Sequence, residues 1–577
     1  MVYRPVRGDI RELRTLRDML TNSDGRYGER PALALRGGAS YSYREVSVRA
    51  ARLRALLASQ GITRGARVAL LGDNTPAWGI AYLAITTMGA VVVPILPGFS
   101  PESIASILRH SGSEGLIVSE SMRGTVPSDR AIGLVIDLDQ INRADMGSSG
   151  DRGGGGPAGA DPWDDGSPVE ETDLAAILYT SGTTGDPKGV MLTHRNIVQN
   201  IIGSMSLIDI RPEDRFLSIL PLAHSYECTI GFLIPIASGA SITYLNGPPA
   251  LSVLLPALSD VKPTVMVSVP LIMEKLYDAR VRPVFARNAV TRAISRVRPL
   301  RALIHRAAAR KAYQAFGGAL RFYGIGGAPI APDAELFLRD GRFPYAVGYG
   351  LTETAPLIAG TDAEHTRYRS TGPPIPGVEV RIVGDGGEGD GGGDGGGDGN
   401  SGEGELQVRG PNVMQGYYRN EQATRDAFTD DGWLRTGDLA SQDRDGYLYI
   451  RGRLKNMILG PSGENIYPED IEHVINRQEL VEASVVFEWE EKLMARVRLD
   501  IETIRAQNAE LAENAAALWK RAEEIAAEVR TTVNERVGRT SRLSRIILQR
   551  EEFERTPTRK IKRYLYTHPD EDDQQAR

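Results

Sequence analysis

The sequence predicts an α/β protein in which a large N-terminal α/β domain of several parts is followed by a small, mobile α+β domain. The chain has 577 residues, which is too long for one hydrophobic core. Between Tyr43 and Val118, apolar strand-like runs alternate with helical periodicity, a pattern typical of a parallel sheet covered by helices on both faces. After Arg453 the composition changes. We therefore predict domains over residues 1–452 and 453–577.

The first alternating segment contains two helix–strand pairs. The predicted elements are a helix over Arg44–Gln60, a strand over Arg67–Leu71, a helix over Trp78–Met88 and a strand over Ala90–Ile95. The same rhythm returns from residue 215 to residue 276. Its predicted strands are Phe216–Leu220 and Thr264–Val269.

The C-terminal domain is expected to mix helices with one strand pair. Its predicted elements are a helix over Glu469–Asn476, strands over Ala483–Phe487 and Leu493–Leu499, and one long Ala/Glu-rich helix from Thr503 to Val537. Because the two strands follow each other closely, the pattern indicates an α+β unit of modest size.

Two glycine-rich stretches interrupt the predicted elements. Residues 146–168 are rich in Gly, Asp and Ser and are predicted to form a flexible loop. Residues 385–403 contain almost only Gly, Asp and Glu, and lie between strand-like runs at Val378–Val383 and Glu405–Arg409. We interpret them as a disordered hairpin extension. A calcium-binding repeat is disfavoured because the hydrophobic position of such repeats is missing.

Composition excludes several classes of protein. The net charge of -6 argues against a nucleic-acid partner. The single cysteine, Cys228, excludes an internal disulfide framework, and no Cys/His cluster has zinc spacing. Residues 1–20 do not resemble a secretory signal, and no apolar run is long enough to span a bilayer. A cytoplasmic enzyme is the expectation.

One basic stretch leaves two interpretations open. Residues 279–311 contain ten Arg or Lys and no acid, interleaved with apolar side chains. A solvated helical face is the favoured interpretation. The alternative is a peripheral contact with anionic lipid at the inner face of the membrane.

The most informative segment is a loop rich in glycine and hydroxyl groups after the buried strand-like run Leu174–Tyr179. Glycine lets backbone N–H groups turn toward an anion, Ser and Thr add hydroxyl donors, and Lys188 adds a positive charge. The spacing is not that of a Walker A motif. The loop nevertheless predicts a nucleotide phosphate site. Its candidate residues are Thr180, Ser181, Gly182, Thr183, Thr184, Gly185 and Lys188.

Seven further motifs follow this loop in order. They are Pro221–Glu227 (PLAHSYE), Gly326–Pro329 (GGAP), Tyr349–Thr354 (YGLTET), Trp433–Asp438 (WLRTGD), Gly452–Asn456 (GRLKN), Ser462–Pro468 (SGENIYP) and Arg555–Arg563 (RTPTRKIKR). With the phosphate loop, they resemble the adenylate-forming (AMP-binding) superfamily, and within it the long-chain fatty acyl-CoA synthetases. The resemblance spans nearly the whole chain, from Tyr43 to Leu565.

The resemblance implies a complete nucleotide site. The phosphate loop would hold the β- and γ-phosphates of ATP, with Lys188 among the catalytic residues. Thr352 would bind the α-phosphate, and Glu353 with Thr184 would hold Mg²⁺, since a hard cation prefers carboxylate and phosphate oxygens. The adenosine contacts implied are Gly326, Gly327 and Ala328 as the adenine wall, Tyr349 stacked on adenine, Asp438 on both ribose hydroxyls, and Arg453 on ribose and phosphate.

The same resemblance implies roles for the acyl and thiol half-sites. His224 would lie beside the acyl pocket, Lys455 would be the hinge, and Gly463 would line the tunnel of CoA. Lys560 aligns with the catalytic lysine. Arg559 stands where most relatives have glycine, as in the T-P-T-x-K-x-K-R form of the long-chain branch. This departure leaves open whether Lys560 or Lys562 enters the site.

The implied activity is ATP- and Mg²⁺-dependent activation of a long-chain fatty acid to acyl-AMP, followed by thioester formation with CoA. An acyl-AMP ligase that transfers to an acyl carrier protein shares every nucleotide motif and is the first alternative. A catalytically silent lipid-binding scaffold is the second. The spacing of motifs does not give the acyl chain length, because folding assembles the acyl pocket from distant side chains. It does not give the oligomeric state either.

Overall fold

The computed structural model describes ten segments of the chain. They are residues 3–126, 132–142, 168–180, 187–247, 249–286, 297–384, 402–459, 465–507, 514–556 and 560–569. The predicted flexible loop 146–168 lies outside the described residues except for Pro168. The predicted hairpin extension 385–403 does so except for its last two residues.

The first seven-stranded sheet confirms the parallel sheet predicted from the alternating pattern. Four of its strands, Val91–Ile95, Arg67–Leu71, Gly115–Val118 and Leu134–Asp137, run parallel. The apolar side chains of the first three are buried on both faces, as expected for a sheet covered by helices, whereas the edge strand Leu134–Asp137 is partly exposed. The strand Leu174–Thr180 joins parallel to Val91–Ile95. The antiparallel strands Lys188–Thr193 and Gly416–Tyr417 complete that edge.

The second seven-stranded sheet is parallel except at one edge. Its spatial order is Tyr345–Val347, Phe322–Ile325, Val265–Ser268, Arg215–Ser218, Ser241–Tyr244, Pro31–Leu35 and Ser40–Ser42, of which only the last is antiparallel to its neighbour. The strands predicted over 216–220 and 264–269 are confirmed, with ends displaced by one or two residues. Parallel strands end at a common edge, which carries the motifs described below.

A wholly buried helix, Pro76–Thr87, joins the two large sheets into one hydrophobic core. Thr75 caps its first turn, and Pro76 fits there because an N-terminal proline loses no intrahelical hydrogen bond. Trp78 is fully buried and meets the ring of Phe232 edge-on at 6.4 Å. This core sets the distance between the two sheets.

The remaining helices of residues 3–452 surround these sheets. Ser42 begins the predicted helix after strand Ser40–Ser42 with a capping box to Glu45. The helices are Gly8–Arg11, Leu16–Tyr27, Tyr43–Ser59, Pro101–Ser111, Glu120–Arg123, Leu138–Asn142, His194–Met205, Ile234–Ser238, Leu251–Val261, Pro270–Arg280, Arg282–Ala286, Arg298–Ala315, Pro332–Asp340 and Glu421–Ala427. A π-helix, Glu227–Leu233, precedes Ile234–Ser238.

A third, antiparallel sheet contains the predicted hairpin. Strand Glu379–Val383 pairs with Gly404–Arg409, which pairs with Leu434–Gln442 and then Leu448–Arg453. A short ladder of Tyr349–Gly350 with Leu357–Ala359 lies beside it. The last two strands of the sheet place Asp438 opposite Arg453.

The C-terminal residues form the predicted α+β unit around their own core. Strand Val481–Trp489 pairs antiparallel with Lys492–Leu499, which pairs in parallel with Arg545–Leu548. Helix Pro468–Ile475 and two later helices pack on this sheet, with Ile475, Val497, Ala522 and Val533 fully buried. The core holds only residues from 458 onward. The domain boundary at 452/453 stays a prediction.

One predicted element is wrong. The long helix expected from Thr503 to Val537 is two helices, Ile501–Gln507 and Ala515–Asn534. Asn514 leaves helical geometry, and its side-chain oxygen accepts from the N–H of Ala517. Asparagine is a strong N-cap and therefore starts a new helix within an Ala/Glu-rich run. Short 3-10 helices complete the described structure at Thr352–Thr354, Leu454–Asn456, Arg539–Ser541 and Arg563–Leu565.

Candidate active site

The strands flanking the predicted phosphate loop form a hairpin that leads into it. Thr180 lies directly opposite Lys188 in the antiparallel ladder. Residues 181–186 lie outside the described residues. The roles predicted for Ser181, Gly182, Thr183, Thr184 and Gly185 therefore stay predictions. The described geometry fixes the two ends of the loop at the edge of the first sheet.

Lys188 and Glu353 meet at one tyrosine that the sequence analysis missed. The Lys188 ammonium lies 5.0 Å from the ring centroid of Tyr417, within cation–π range. The Tyr417 hydroxyl donates to Glu353 Oε1 at 2.8 Å. Burial, followed by the charge of Glu353, raises the pKa of Tyr417. One tyrosine therefore fixes a cation and a carboxylate at the same place.

Backbone and amide contacts hold the segment around Glu353 rigidly. Glu353 is the middle residue of the 3-10 helix Thr352–Thr354. Its carbonyl accepts from the N–H of Met414 at 2.8 Å. The Thr354 carbonyl accepts from the amides of Asn200, at 3.1 Å, and Asn412, at 2.8 Å. No spacing in the sequence relates these asparagines to Thr354, so only folding reveals them.

The predicted ribose aspartate has partners on both oxygens. Tyr349 donates its hydroxyl to Asp438 Oδ2 at 2.5 Å, and Arg453 Nε lies 2.8 Å from Asp438 Oδ1. Asp438 is almost fully buried, and this burial raises its pKa, whereas the Arg453 charge and the Tyr349 hydroxyl act in the opposite direction. The structure thus brings together three residues that are distant in the sequence. Together they present donors and acceptors suited to a diol.

The predicted adenine wall is a turn at the end of a central strand. Gly326 follows strand Phe322–Ile325 and donates its N–H to the Ser268 carbonyl at 3.0 Å. Gly327 has φ +82°, a conformation that favours glycine. Gly327 and Ala328 are exposed. The turn offers a flat backbone surface free of bulky side chains.

His224, which is predicted to lie beside the acyl pocket, is a neutral ring. Its Nδ1 accepts the N–H of Tyr226 at 3.3 Å, which assigns the remaining ring proton to Nε2. Burial, and then the positive charge of Lys560, lowers the pKa of His224 to about 4. The neighbouring residue Tyr226 packs on Gly326: a Cβ added to this glycine would lie 3.1 Å from Tyr226 Cζ. His224 can therefore donate one hydrogen bond without carrying charge.

Lys560 is the C-terminal lysine whose charge acts on both His224 and Asp438. The Lys560 side chain keeps considerable accessible area, but protein crowds its ammonium, and this desolvation lowers its pKa more than any other cause. The Arg453 charge lowers the pKa further, whereas Asp438 opposes both. The pKa of Lys560 is lowered because desolvation acts at its ammonium, whatever the accessible area of the rest of the side chain. Lys562 instead pairs with Glu554 at 3.0 Å.

The predicted hinge residue lies between the third sheet and the C-terminal core. Lys455 is exposed in the 3-10 helix Leu454–Asn456, directly after strand Leu448–Arg453. Gly463 lies outside the described residues. Strands Ile458–Leu459 and Asn465–Ile466 pair with each other on either side of it.

The donor set suits Mg²⁺ held jointly by protein and nucleotide. No group of three His, Cys, Asp or Glu among the described residues could hold a metal by itself. Mg²⁺ commonly takes one or two carboxylates and completes its shell with phosphate oxygens and water. Glu353 can supply such a carboxylate.

Among the described residues, no helix is long and apolar enough to cross a membrane.

Comparison with known proteins adds family evidence to this geometry. The model of the AMP-binding enzyme family matches residues 20–418. The long-chain-fatty-acid–CoA ligase FadD15 of Mycobacterium bovis is 33% identical over 455 residues, 74% of this chain and 72% of that protein. The peroxisomal long chain acyl-CoA synthetase 7 of Arabidopsis thaliana is 29% identical over 540 residues, 86% of this chain and 75% of that protein.

Solved structures agree with the fold. O-succinylbenzoate coenzyme A synthetase (MenE) from Bacillus subtilis, in complex with ATP and magnesium ion, superposes with a TM-score of 0.70 at 22% identity. The match covers 95% of this chain and 98% of the MenE chain. The predicted architecture, a large N-terminal α/β part with a smaller C-terminal unit, is confirmed by this likeness and by the sheets described above.

Proposed function

The chain belongs to the AMP-binding enzyme family, and on that premise we propose that it is a long-chain-fatty-acid–CoA ligase. It activates the fatty acid with ATP and Mg²⁺ to acyl-AMP, and then forms the CoA thioester. One observation carries the proposal: the charges of Arg453 and Asp438 act on the ammonium of Lys560, and the charge of Lys560 acts on the ring of His224, so the C-terminal lysine lies within electrostatic range of all three. FadD15 and the Arabidopsis synthetase support the long-chain substrate.

In the first half-reaction, a fatty carboxylate oxygen attacks the α-phosphorus of ATP and the bond to pyrophosphate breaks. Both reactants are anions, so the site has to supply positive charge where they meet. We propose that Lys188 and Lys560 supply this charge and that the His224 Nε2–H donates to the carboxylate. Bound Mg²⁺ would neutralise phosphate charge beside Glu353. Catalysis is therefore positioning and electrostatic stabilisation, without a protein nucleophile.

In the second half-reaction, the CoA sulfur attacks the acyl carbonyl and AMP departs with the electron pair of the C–O bond. The thiol needs space that Lys560 occupies. We propose that the C-terminal domain, residues 453–577, turns about Lys455 and withdraws Lys560. The loop containing Gly463 then lines the path of the thiol.

The test is a substrate panel with two readouts. Pyrophosphate release from ATP and consumption of free CoA are measured with saturated acids of graded length and with an aromatic acid. Fatty-acid-dependent activity in both assays, strongest with long chains, is the expected result. Reaction of only short or aromatic acids would contradict the substrate. No acid-dependent pyrophosphate release would favour the lipid-binding scaffold.

The acceptor is tested in the same assay. An acyl carrier protein would replace CoA if the chain were an acyl-AMP ligase, and every nucleotide contact would be the same. The named relatives favour CoA. Loss of free CoA without any transfer to holo carrier protein is the expected outcome. The reverse would identify the carrier protein as the partner.

The basic stretch supports a peripheral contact with anionic lipid as part of this function. Helix Arg298–Ala315 and the end of helix Pro332–Asp340 line a cavity of about 390 Å³. Its lining residues include four arginines, Arg298, Arg306, Arg339 and Arg342. The one acidic lining residue, Asp340, already pairs with Arg301 and His305. Basic residues therefore outnumber acidic ones around this cavity.

Exposed apolar side chains lie on the same helix and at the residue before it. Leu303 is 64% exposed, and Val297 and Leu300 are each 45% exposed. Exposed leucines beside arginines match a bilayer surface with anionic headgroups, where long-chain acids partition. Cosedimentation with phosphatidylglycerol vesicles is expected to fall in Arg298→Glu/Arg306→Glu and to persist in the control Lys520→Glu. Equal binding to phosphatidylcholine vesicles would contradict the electrostatic contact.

A further inference from the structure

A buried acid lies in the same segment as the predicted acyl histidine. Glu227 begins the π-helix Glu227–Leu233, three residues after His224, and its side chain is fully buried. Buried carboxylates ordinarily pair with a cation. Among the described residues, Glu227 has neither an ion pair nor a hydrogen bond from a cation. Burial raises the pKa of Glu227 to about 8, so the group is a neutral acid at neutral pH.

Hydrogen-bond directions locate its proton. The Leu222 N–H donates to Asn74 Oδ1 at 2.9 Å, which fixes the amide and leaves Asn74 Nδ2 to donate to Ser218 Oγ at 3.1 Å. The single Ser218 hydroxyl proton then goes to Glu227 Oε1, 2.6 Å away. Oε1 is thus the acceptor, and the acid proton belongs on Oε2. That atom is buried without a hydrogen-bond partner among the described residues.

The π-helix is shaped around this carboxyl group. A Cβ added to Gly231 would lie 2.7 Å from Glu227 Cδ and 2.8 Å from both of its oxygens, so only glycine leaves the carboxyl its space. His224, on the same segment, is a neutral ring. Tyr244 lies on the neighbouring strand, and Tyr226 and Cys228 flank Glu227 in the chain. The last three are acids. A charge on Glu227 would therefore find like-charged or neutral neighbours only.

The same turn positions the His224 ring. The Cys228 N–H donates to the His224 carbonyl at 2.9 Å, and the Tyr226 N–H donates to the His224 ring. Thr229 Oγ1 donates to the Ala355 carbonyl at 3.0 Å, next to the Thr352–Thr354 helix. Thr229 therefore connects this turn to the segment after helix Thr352–Thr354. Glu227 connects it to strand Arg215–Ser218.

We propose that Glu227 is a positioning residue for the fatty carboxylate. As a neutral acid bonded to Ser218, it fixes the first turn of the π-helix and the His224 ring, and it adds no negative charge where an anionic substrate must bind. Ionisation would place an unpaired charge in the protein interior and displace the turn. The inference rests on the proposed function, since it concerns the acyl half of that site.

Glu227→Gln is the informative variant, because glutamine stays neutral and keeps the acceptor for Ser218. KM for a long-chain acid and KM for ATP are measured from about pH 6 to about pH 9.5. In the wild type, KM for the fatty acid is expected to rise by up to about tenfold per pH unit above the pKa of Glu227. KM for ATP should rise much less. Glu227→Gln should lack this additional rise. An identical alkaline rise in both proteins would overturn the inference.

Ser218→Ala tests the connection itself at neutral pH. Loss of one hydrogen bond should raise KM for the acid about fivefold and leave KM for ATP unchanged. Equal effects on both constants would indicate general damage and overturn the positioning role. Failure of the proposed function has a different signature, because the wild type would then release no pyrophosphate with any acid at any pH.

Infrared difference spectra between wild type and Glu227→Gln provide a readout independent of activity. A protonated-carboxyl band is expected in the wild type at neutral pH and should be lost toward high pH. Its absence at neutral pH would overturn the inference even in an active enzyme.

Discussion

The hydroxyl of Tyr349 donates to Asp438 Oδ2 at 2.5 Å, so the side chain proposed to stack on adenine is bonded to the carboxylate proposed to bind ribose. Burial, followed by the Asp438 charge, raises the pKa of Tyr349 well above its usual value, which keeps the hydroxyl protonated. Arg453 occupies the other oxygen of Asp438. The carboxylate is therefore oriented for a diol before nucleotide arrives, and this preorganisation lowers the cost of binding.

Tyr349→Phe separates stacking from orientation. Phenylalanine keeps the ring, but leaves Asp438 Oδ2 without its donor. Loss of one hydrogen bond to a charged group costs about 2 kcal/mol, so KM for ATP should rise about tenfold or more while KM for the fatty acid stays the same. Asp438→Asn should be worse, because the partner of Arg453 is lost as well. Unchanged ATP kinetics in Tyr349→Phe would contradict the orienting role.

Tyr417→Phe tests the connection between Lys188 and Glu353. The ring under the Lys188 ammonium is retained, but the donor to Glu353 Oε1 is removed. A less well-oriented carboxylate should weaken Mg²⁺ binding, so half-saturation in a Mg²⁺ titration of pyrophosphate release is expected to rise about fivefold. Tyr418→Phe is the matched control, since the Tyr418 hydroxyl donates to the Ser111 carbonyl at 3.4 Å. A shift of the same size in both variants would argue against a role for Tyr417.

His194 predicts how stability depends on pH. Its ring is fully buried, with Nδ1 accepting the N–H of Leu16 at 3.2 Å, and burial lowers its pKa to about 4. The unfolded histidine binds a proton near pH 6.5. Its contribution is therefore complete above about pH 6.5 and is lost as the pH falls toward 4. Denaturant unfolding should show a shallower loss of stability between these values in His194→Gln, and an unchanged slope would contradict this account.

Sequence reasoning located the parallel sheets because buried strands such as Arg67–Leu71 are continuous apolar runs between helical segments. It also predicted a strand over Val378–Val383, which the structure has as Glu379–Val383. It failed at the helix expected over Thr503–Val537, where one capping asparagine, Asn514, outweighs the composition of the whole segment. Composition is averaged over many residues, whereas a cap depends on one side chain.

The candidate site was predictable to the extent that its residues lie in short motifs. Lys188, Glu353 and Asp438 could be selected because each lies within a short, recognisable motif. Tyr417, Asn200 and Asn412 could not, because they act only through contacts that folding creates. Glu227 lies inside a predicted motif, but its burial without a cation depends on Ser218 and Gly231, and no spacing rule predicts such an environment.

The two C-terminal lysines give the sharpest test of the proposed domain movement. Lys560 lies within electrostatic range of Asp438 and Arg453, and crowding lowers its pKa, whereas Lys562 pairs with Glu554 and its pKa is raised by that partner. Lys560→Ala should therefore reduce ATP-dependent acyl-AMP formation about a hundredfold or more. Thioester formation from supplied acyl-AMP and CoA should persist, because Lys560 has left the site in that step. Lys562→Ala, the matched control, should change neither rate by more than about threefold, since an exposed ion pair contributes little. Equal losses in both half-reactions of Lys560→Ala, or a larger adenylation defect in Lys562→Ala, would refute the proposed exchange of Lys560 for the thiol.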